Sequence, residues 1–222
     1  MLSLDEAYRR LLERAHLTDG ERLPLADAVG RVLVDPKVVA AVDVPPFANS
    51  AMDGFALRAG DVPGSLQVMG EASAGDPALP TVGPRMAVRI MTGAPIPPGA
   101  DTVVPLEEAT EADGTVTIPE PVLSGQHVRA VAHDTRAGDE ICITGALTAA
   151  KIGVLASLGF GEVDVRRRPV VAILSTGNEL VGPGEPLAPG QIHDANSAAL
   201  AAAVAEAGGV PMLLPRLRDE AG

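Results

Sequence analysis

Aromatic rings are nearly absent from this 222-residue chain, which has three phenylalanines, one tyrosine and no tryptophan. A core built from it must rest on many small contacts of Val, Ala and Leu rather than on a few large rings. Cysteine is as scarce. Cys142 stands alone, which excludes an intrachain disulfide and any cysteine-based zinc cluster. The four histidines (16, 127, 133 and 193) show no metal-ligand spacing. Basic residues are in deficit, 17 Lys and Arg against 29 Asp and Glu, a net charge of −12. That balance argues against nucleic acid or an anionic membrane as the main partner. Phosphate chemistry stays open, because acidic proteins can recruit a divalent cation. No apolar run reaches the roughly 18–20 residues needed to cross a bilayer. The first twenty residues alternate charged and apolar groups and lack a signal-peptide core. The expectation is a soluble, cytoplasmic protein of one or two domains, each about 100–200 residues.

Glycine and proline are plentiful, 24 and 20 residues, but unevenly spread. At the front, Leu4, Ala7, Tyr8, Leu11, Leu12 and Ala15 recur at helical spacing, which predicts an amphipathic helix over 4–16. Ser3 and Glu6 form a capping box before it. Between 45 and about 130 the helical period disappears. Met86, Val88 and Ile90 alternate with Arg85, Ala87 and Arg89, the period of a half-buried strand. Residues 101–106 and 115–118 are further strands, the latter preceded by the turn signal Ala112-Asp113-Gly114. This block reads as a small β domain.

Thr148 is placed to cap a helix running to Leu158, with Gly159 as its stop. A strand at 162–165 leads to Arg166-Arg167-Arg168, either an anion holder or a solvated hinge, with the hinge the preferred reading. Val170–Leu174 is a continuous apolar run, as in a parallel strand buried on both faces. Asn196 or Ser197 caps an Ala-rich helix that Gly208-Gly209 ends, and a second strand follows at 210–214. This is a βαβ unit with an expected right-handed crossover. Sheets usually hold about 4–6 strands, so 169–222 is expected to open an α/β domain of a longer protein, with a further helix beginning near Arg218.

Five segments carry the polar residues that chemistry needs. Residues 45–58 place Asn49, Ser50 and Asp53 in an aperiodic stretch after Pro45-Pro46, where proline disfavours a helix start. Gly54 allows a sharp turn or a close backbone approach to a ligand. An Asx-turn at Asp53 is the simpler reading of that stretch alone. Ile90-Met91-Thr92-Gly93-Ala94-Pro95 ends a strand in a tight turn with a hydroxyl and backbone N–H groups at its tip. Residues 133–139 form an acidic loop around Asp134. Ser175-Thr176-Gly177-Asn178-Glu179 follows the apolar strand, where open α/β sheets bind ligands. The fifth segment, 191–197, contains Asp194, which reads as a structural cap rather than a ligand.

In this order the segments resemble the MoeA family, the molybdopterin molybdenumtransferases that include the E domain of gephyrin. The matching pieces are Pro46-Phe47-Ala48-Asn49-Ser50-Ala51-Met52-Asp53-Gly54, Met91-Thr92-Gly93-Ala94, Ser175-Thr176-Gly177-Asn178-Glu179-Leu180 and Asp194-Ala195-Asn196. The resemblance implies an α+β multidomain fold. An elongated helical and β linker domain, 1–44 plus 130–168, would be interrupted by an inserted β domain, 45–129. Residues 169–222 would begin a MogA-like, molybdopterin-binding α/β domain with a parallel sheet. It also implies a homodimer with its cleft between subunits and a MogA-type adenylyltransferase as pathway partner.

The implied reaction is insertion of molybdate into adenylylated molybdopterin, with release of AMP and assistance from Mg²⁺. Mg²⁺ takes hard oxygen ligands and keeps waters beside substrate phosphates, so Asp53, Asp134 and Glu179 are candidates for metal ligation. A carboxylate among them can instead orient the attacking water. Asn49, Ser50, Thr92, Gly93, Ser175, Thr176, Gly177 and Asn178 are the candidate substrate contacts. Thr92 with the Gly93 and Ala94 amides would donate to an oxyanion, phosphate or molybdate. Each segment also has a plain structural reading: a β-turn at Thr92-Gly93, a solvated loop at Asp134, a helix-dipole charge at Glu179. Three positions depart from the family pattern. Ala48 stands where an acid is common, His133 where a glutamate often precedes the aspartate, and Phe55 in place of a frequent tyrosine. The later glycine-rich and Pro-Gly-Asn-Pro segments, the lysines near the molybdate and a C-terminal β domain do not occur in the 222 residues. Two other readings stand beside the insertase: a non-catalytic dimerising scaffold of the same family, and an unrelated Mg²⁺-dependent phosphohydrolase.

Overall fold

A computed structural model describes residues 2–75 and 78–217. The chain divides into two compact units. One comprises Met1–Lys37, Cys142–Ala156 and Phe160–Gly222; the other comprises Val38–Ile141 and Ser157–Gly159. The start expected for a further helix, at Arg218, lies outside the described residues.

The second unit is organised by a six-stranded sheet. Its strands run in the order Thr102–Pro105, Gly54–Leu57, Met86–Ile90, Gly64–Ala72, Thr115–Ile118, Thr110–Ala112. All neighbours are antiparallel except Gly64–Ala72 against Met86–Ile90, which is parallel. The last two strands form the hairpin that the Asp113-Gly114 pair predicts. Both residues take positive φ, 49° and 72°, as a turn compatible with strand twist requires.

Apolar side chains cover both faces of this sheet. Phe55, Leu57, Leu66, Ala87, Val104, Val116 and Ile118 pack together on one side. Ala56, Ala72, Val82, Val88, Ile90, Ala94 and Val103 pack on the other. Met86–Ile90 is therefore not the half-buried strand its alternation predicts: Ala87, Val88 and Ile90 are all fully buried. The reason is its central place in the sheet, between Gly54–Leu57 and Gly64–Ala72, with apolar clusters on both faces. Arg89, the polar member of the alternation, stays partly exposed by lying over the Phe55 ring, 5.4 Å from its centroid, and pairing with Glu111.

In the first unit, helix α1 spans Leu4–Arg14, and the Ser3 hydroxyl accepts from the Glu6 N–H at 3.2 Å. It stops two residues short of the expected end, because Ala15 is already extended. Its apolar face is uncovered: Leu4, Tyr8, Leu11 and Leu12 are all exposed. The strand Gly20–Pro24 pairs antiparallel with Glu162–Arg166, and around them Leu25, Ala28, Leu33, Leu147, Leu155, Val163 and Val165 are buried. Helix α2, Ala149–Ser157, starts after Thr148 and ends before Gly159, whose φ is +92°.

The Arg166–Arg168 triplet is not simply a solvated hinge. Arg166 ends the strand and donates to the carbonyls of Thr18 at 3.0 Å and Val34 at 3.2 Å, while Arg31 donates to the Arg166 carbonyl. A guanidinium with five donors can satisfy several strand-end carbonyls at once. Arg167 and Arg168 are exposed.

Val170–Ile173 and Val210–Leu213 pair in parallel, joined through helix α3, Ala195–Glu206. The expectation of burial on both faces fails here, since Val170 is 62% exposed and Val171 and Leu174 are exposed as well. Helix α3 packs on this two-stranded sheet, yet most side chains of both strands stay exposed. The cap of α3 is Asp194, not Asn196 or Ser197, which lie inside the first turn. Among the described residues no helix is long and apolar enough to cross a membrane.

Candidate functional site

The loop 48–53 and the turn 91–96 are tied together by backbone. Ser50 N–H donates to the Ala94 carbonyl at 3.0 Å, Gly93 N–H to the Ser50 carbonyl at 2.8 Å, and Ile96 N–H to the Ala48 carbonyl at 3.0 Å. Ser50 is fully buried, and its hydroxyl is taken up by Met52, donating to its carbonyl at 2.6 Å. Asn49 is buried beside it, and its Oδ1 has no partner among the described residues.

This staple sets Asp53 against Thr92. One carboxylate oxygen, Oδ1, accepts from the Thr92 N–H at 2.6 Å and from the Thr92 hydroxyl at 2.7 Å. These donors, the N–H foremost, hold the Asp53 carboxyl below its ordinary value, because hydrogen bonds to the charged form favour it. Asp53 is therefore a carboxylate at neutral pH. Both bonds fall on Oδ1, so Oδ2 accepts none from the described residues and remains open to a ligand.

Two sequence expectations change here. Gly54 does not serve a ligand: a Cβ at this position would lie 2.0 Å from the Val104 carbonyl oxygen. Its smallness lets two strands of the sheet meet. Nor does the 92–94 turn hold out free donors to an oxyanion. Thr92 gives both of its donors to Asp53, Gly93 gives its N–H to Ser50, and Ala94 gives its N–H to the Met91 carbonyl at 3.0 Å. What the turn presents is an ordered carboxylate.

Asp134 belongs to the same unit. Its N–H donates to the Val44 carbonyl at 2.9 Å, and its Oδ1 lies 3.0 Å from His133 Nδ1, with both side chains exposed. Ser175, Thr176, Gly177, Asn178 and Glu179 belong to the other unit, at the carboxyl end of Val170–Ile173. There the Gly177 N–H donates to the Leu217 carbonyl at 3.2 Å and the Leu217 N–H to the Ser175 carbonyl at 3.0 Å. Gly177 has φ +145°, and the Glu179 carboxylate folds over it, 2.7 Å from where a Cβ would stand. Gly177, Asn178, Gln191, Arg216 and Leu217 line a cavity of about 550 Å³.

Two residues in this region escape sequence reasoning. Asp194, read as a cap, does accept from the Ser197 N–H at 3.0 Å. It is also buried, and its pKa is lowered first by Ser197, then by Ser175 and the charge of Arg216. Arg216 donates to the Leu180 carbonyl at 2.9 Å and borders the cavity. Its only signal is its place just after the second parallel strand.

Mg²⁺ can be tested against these donors. Among the described residues no three His, Cys, Asp or Glu side chains converge to hold a metal, so no all-protein cage exists there. The hard oxygen of Asp53 Oδ2 suits the other arrangement, one or two carboxylates completed by substrate phosphates and water.

A family model described as the MoeA N-terminal region (domain I and II) matches residues 2–159. The chain belongs to the MoeA family. Among curated MoeA relatives it is 42% identical over 201 residues to the molybdopterin molybdenumtransferase of Haemophilus influenzae, which covers 88% of this chain and 50% of that protein. It is 41% identical over 216 residues to molybdopterin molybdenumtransferase 2 of Mycobacterium tuberculosis, covering 94% and 53%. The chain thus spans about half the length of the curated relatives it matches. A crystal structure of the molybdopterin biosynthesis MoeA protein from Pyrococcus horikoshii OT3 superposes with a TM-score of 0.88 at 32% identity, over 99% of this chain and 61% of that one. The α+β character, mostly strands with few helices, agrees with that MoeA structure.

Proposed function

We propose that the protein carrying this chain is a molybdopterin molybdenumtransferase, acting in molybdenum cofactor biosynthesis. It inserts molybdate into adenylylated molybdopterin and releases AMP with Mg²⁺ assistance. The observation that carries this reading is the Asp53–Thr92 clamp, inside the region that matches the family model. Curated relatives named for the transferase support the reaction class.

In this reading Thr92 positions Asp53, and Asp53 Oδ2, with Asp134 and Glu179, meets the metal or the attacking water. Bound Mg²⁺ would offset the charge that develops on the leaving phosphate. Asn49 and Ser50 shape the loop from inside, Gly93 closes its turn, and Ser175–Asn178 contact the substrate. The domain division is 1–44 with 130–168, an inserted β domain at 45–129, and the opening of a molybdopterin-binding α/β domain at 169–222. The protein works in the cytoplasm as a homodimer supplied by a MogA-type adenylyltransferase. The uncovered apolar face of α1 supports self-association, since a patch of this kind marks an interaction surface.

The test is AMP release from adenylylated molybdopterin by the whole protein, with Asp53→Asn and Glu179→Gln beside the wild type. Loss of one preorganised electrostatic group costs on the order of 10²–10³ in rate. Wild-type rates in both variants, at unchanged Tm, would overturn the site. A folded dimer that never releases AMP would favour the scaffold, and hydrolysis of generic phosphate esters without molybdopterin would favour the phosphohydrolase.

A further inference from the structure

The arginine triplet finds no use in the reaction proposed above. It borders a cavity of about 480 Å³, inside the first unit, to which Arg31, Arg166, Arg167 and Arg168 all contribute. The lining contains none of the residues of the Asp53 loop. We propose that this cavity binds a small phosphate-bearing anion, of the size of pyrophosphate or a nucleoside monophosphate.

Charge makes the case first. In a chain with net charge −12, four guanidiniums gather around one space. Among the described residues Arg31, which is buried, forms an ion pair with Glu21, a carboxylate that also feels the charge of Arg167. Arg166 is fixed by the Thr18 and Val34 carbonyls, which orient it without cancelling its charge. Arg167 lies 3.5 Å from the Gly20 carbonyl through Nε, and both it and Arg168 are exposed. The carboxyl end of α3, at Ala207 and Gly208, also reaches the cavity. It brings a partial negative charge of about half a unit, less than the guanidiniums of Arg166, Arg167 and Arg168 together supply.

Geometry adds to the charge. Arginine forks match phosphate oxygens two at a time, and two of the four here are held in place before any ligand arrives. Leu17, Val32 and Ala207 supply apolar wall against which a base can lie. The volume falls within the roughly 300–1,000 Å³ typical of small-molecule clefts.

Isothermal titration calorimetry of this chain at low ionic strength, with sodium pyrophosphate and separately with AMP, tests the proposal. Low salt matters because screening shortens from about 30 Å at 0.01 M to about 10 Å at 0.1 M. The expected result is saturable one-site binding, weakened at least about tenfold, or 1.4 kcal/mol, in the double variant Arg167→Gln/Arg168→Gln. Arg168→Lys, which keeps the charge but not the fork, should bind less tightly than wild type and more tightly than Arg168→Gln, and Thr92→Val should leave binding unchanged. Circular-dichroism melting confirms that each variant is folded. AMP binding tighter than pyrophosphate assigns a nucleotide, and the reverse order assigns an inorganic phosphate. No saturable binding by the wild type at millimolar ligand overturns the proposal. So does equal binding by the double variant, or loss of binding in Thr92→Val alone, which would move the anion to the Asp53 loop.

Discussion

Gly54→Ala separates a strand-packing role for Gly54 from a ligand-facing one. The added Cβ would stand 2.0 Å from the Val104 carbonyl oxygen, 2.8 Å from the Val104 carbonyl carbon and 3.0 Å from Pro105 Cα. Carbon–oxygen contacts between strands settle near 3.3–3.6 Å, so the two strands must part by more than an ångström. Every obstructing atom is backbone, and no rotamer change can relieve it. Overpacking of a well-filled site costs about 1–3 kcal/mol, occasionally more, and backbone obstruction puts this case at the upper end, about 3 kcal/mol. For a protein of this size each kcal/mol moves Tm by roughly 2–4 °C, which predicts a fall of about 6–12 °C by calorimetry. Gly93→Ala is the control. It has φ +83° and open space around a new Cβ, so only the left-handed backbone is penalised, about 1–2 kcal/mol. A Gly54→Ala protein melting within 2 °C of wild type, or above Gly93→Ala, would refute the strand-contact account.

Two further predictions rest on charge. Thr92→Val removes the hydroxyl donor to Asp53 but keeps the N–H donor, so the Asp53 titration followed by carbon-13 NMR should move up yet stay below the ordinary carboxylate value. AMP release by the whole protein should fall about 10–100-fold, as when a group that orients a ligand is lost; an unchanged midpoint would sink the clamp. Asp194→Asn should loosen the first turn of α3, measured by hydrogen exchange at 195–197. Because the folded Asp194 pKa is depressed, its contribution is fully present above the unfolded value of about 3.9 and is lost as pH falls through the folded value. Wild type and variant should therefore differ at pH 7 and converge only below the ordinary carboxylate range. A difference independent of pH would refute a charge-based cap.

Features that depend on neighbours close in the chain are legible in the sequence. Ser3 with Glu6 marked the start of α1, Asp113-Gly114 the hairpin, and the parallel pairing of Val170–Ile173 with Val210–Leu213 followed from an apolar run, a helix and a second run. Failures came where distant segments decide. Ala87 looked like the outward residue of a half-buried strand, but central placement in the sheet buries both faces. The apolar run at Val170 reads as doubly buried, but among the described residues its sheet has two strands and Val170 stays exposed. The donors of Thr92, Gly93 and Ala94 looked free, because a sequence does not reveal that Asp53, Ser50 and Met91 take them.

The three departures from the family pattern bear unequally on the site. Position 48 acts through its backbone, since the Ala48 carbonyl accepts from Ile96 at 3.0 Å; alanine keeps the staple and gives up only a side-chain charge. Phe55 is buried to 1% exposure beneath Arg89. A tyrosine hydroxyl there would need a partner, and the bare ring meets no such demand. His133 matters most. Where a glutamate would place a second carboxylate next to Asp134, the imidazole places Nδ1 3.0 Å from its Oδ1, removing one negative charge and occupying one oxygen. A metal or water that needs Asp134 Oδ1 must compete with His133, and in each carboxylate Oδ2 has no bond from the described residues; what sets Asp53 apart is that two Thr92 donors hold it. Asp53 is thus the better-prepared carboxylate of this unit, and a His133→Ala exchange should strengthen any Mg²⁺ dependence that Asp134 contributes while leaving that of Asp53 untouched.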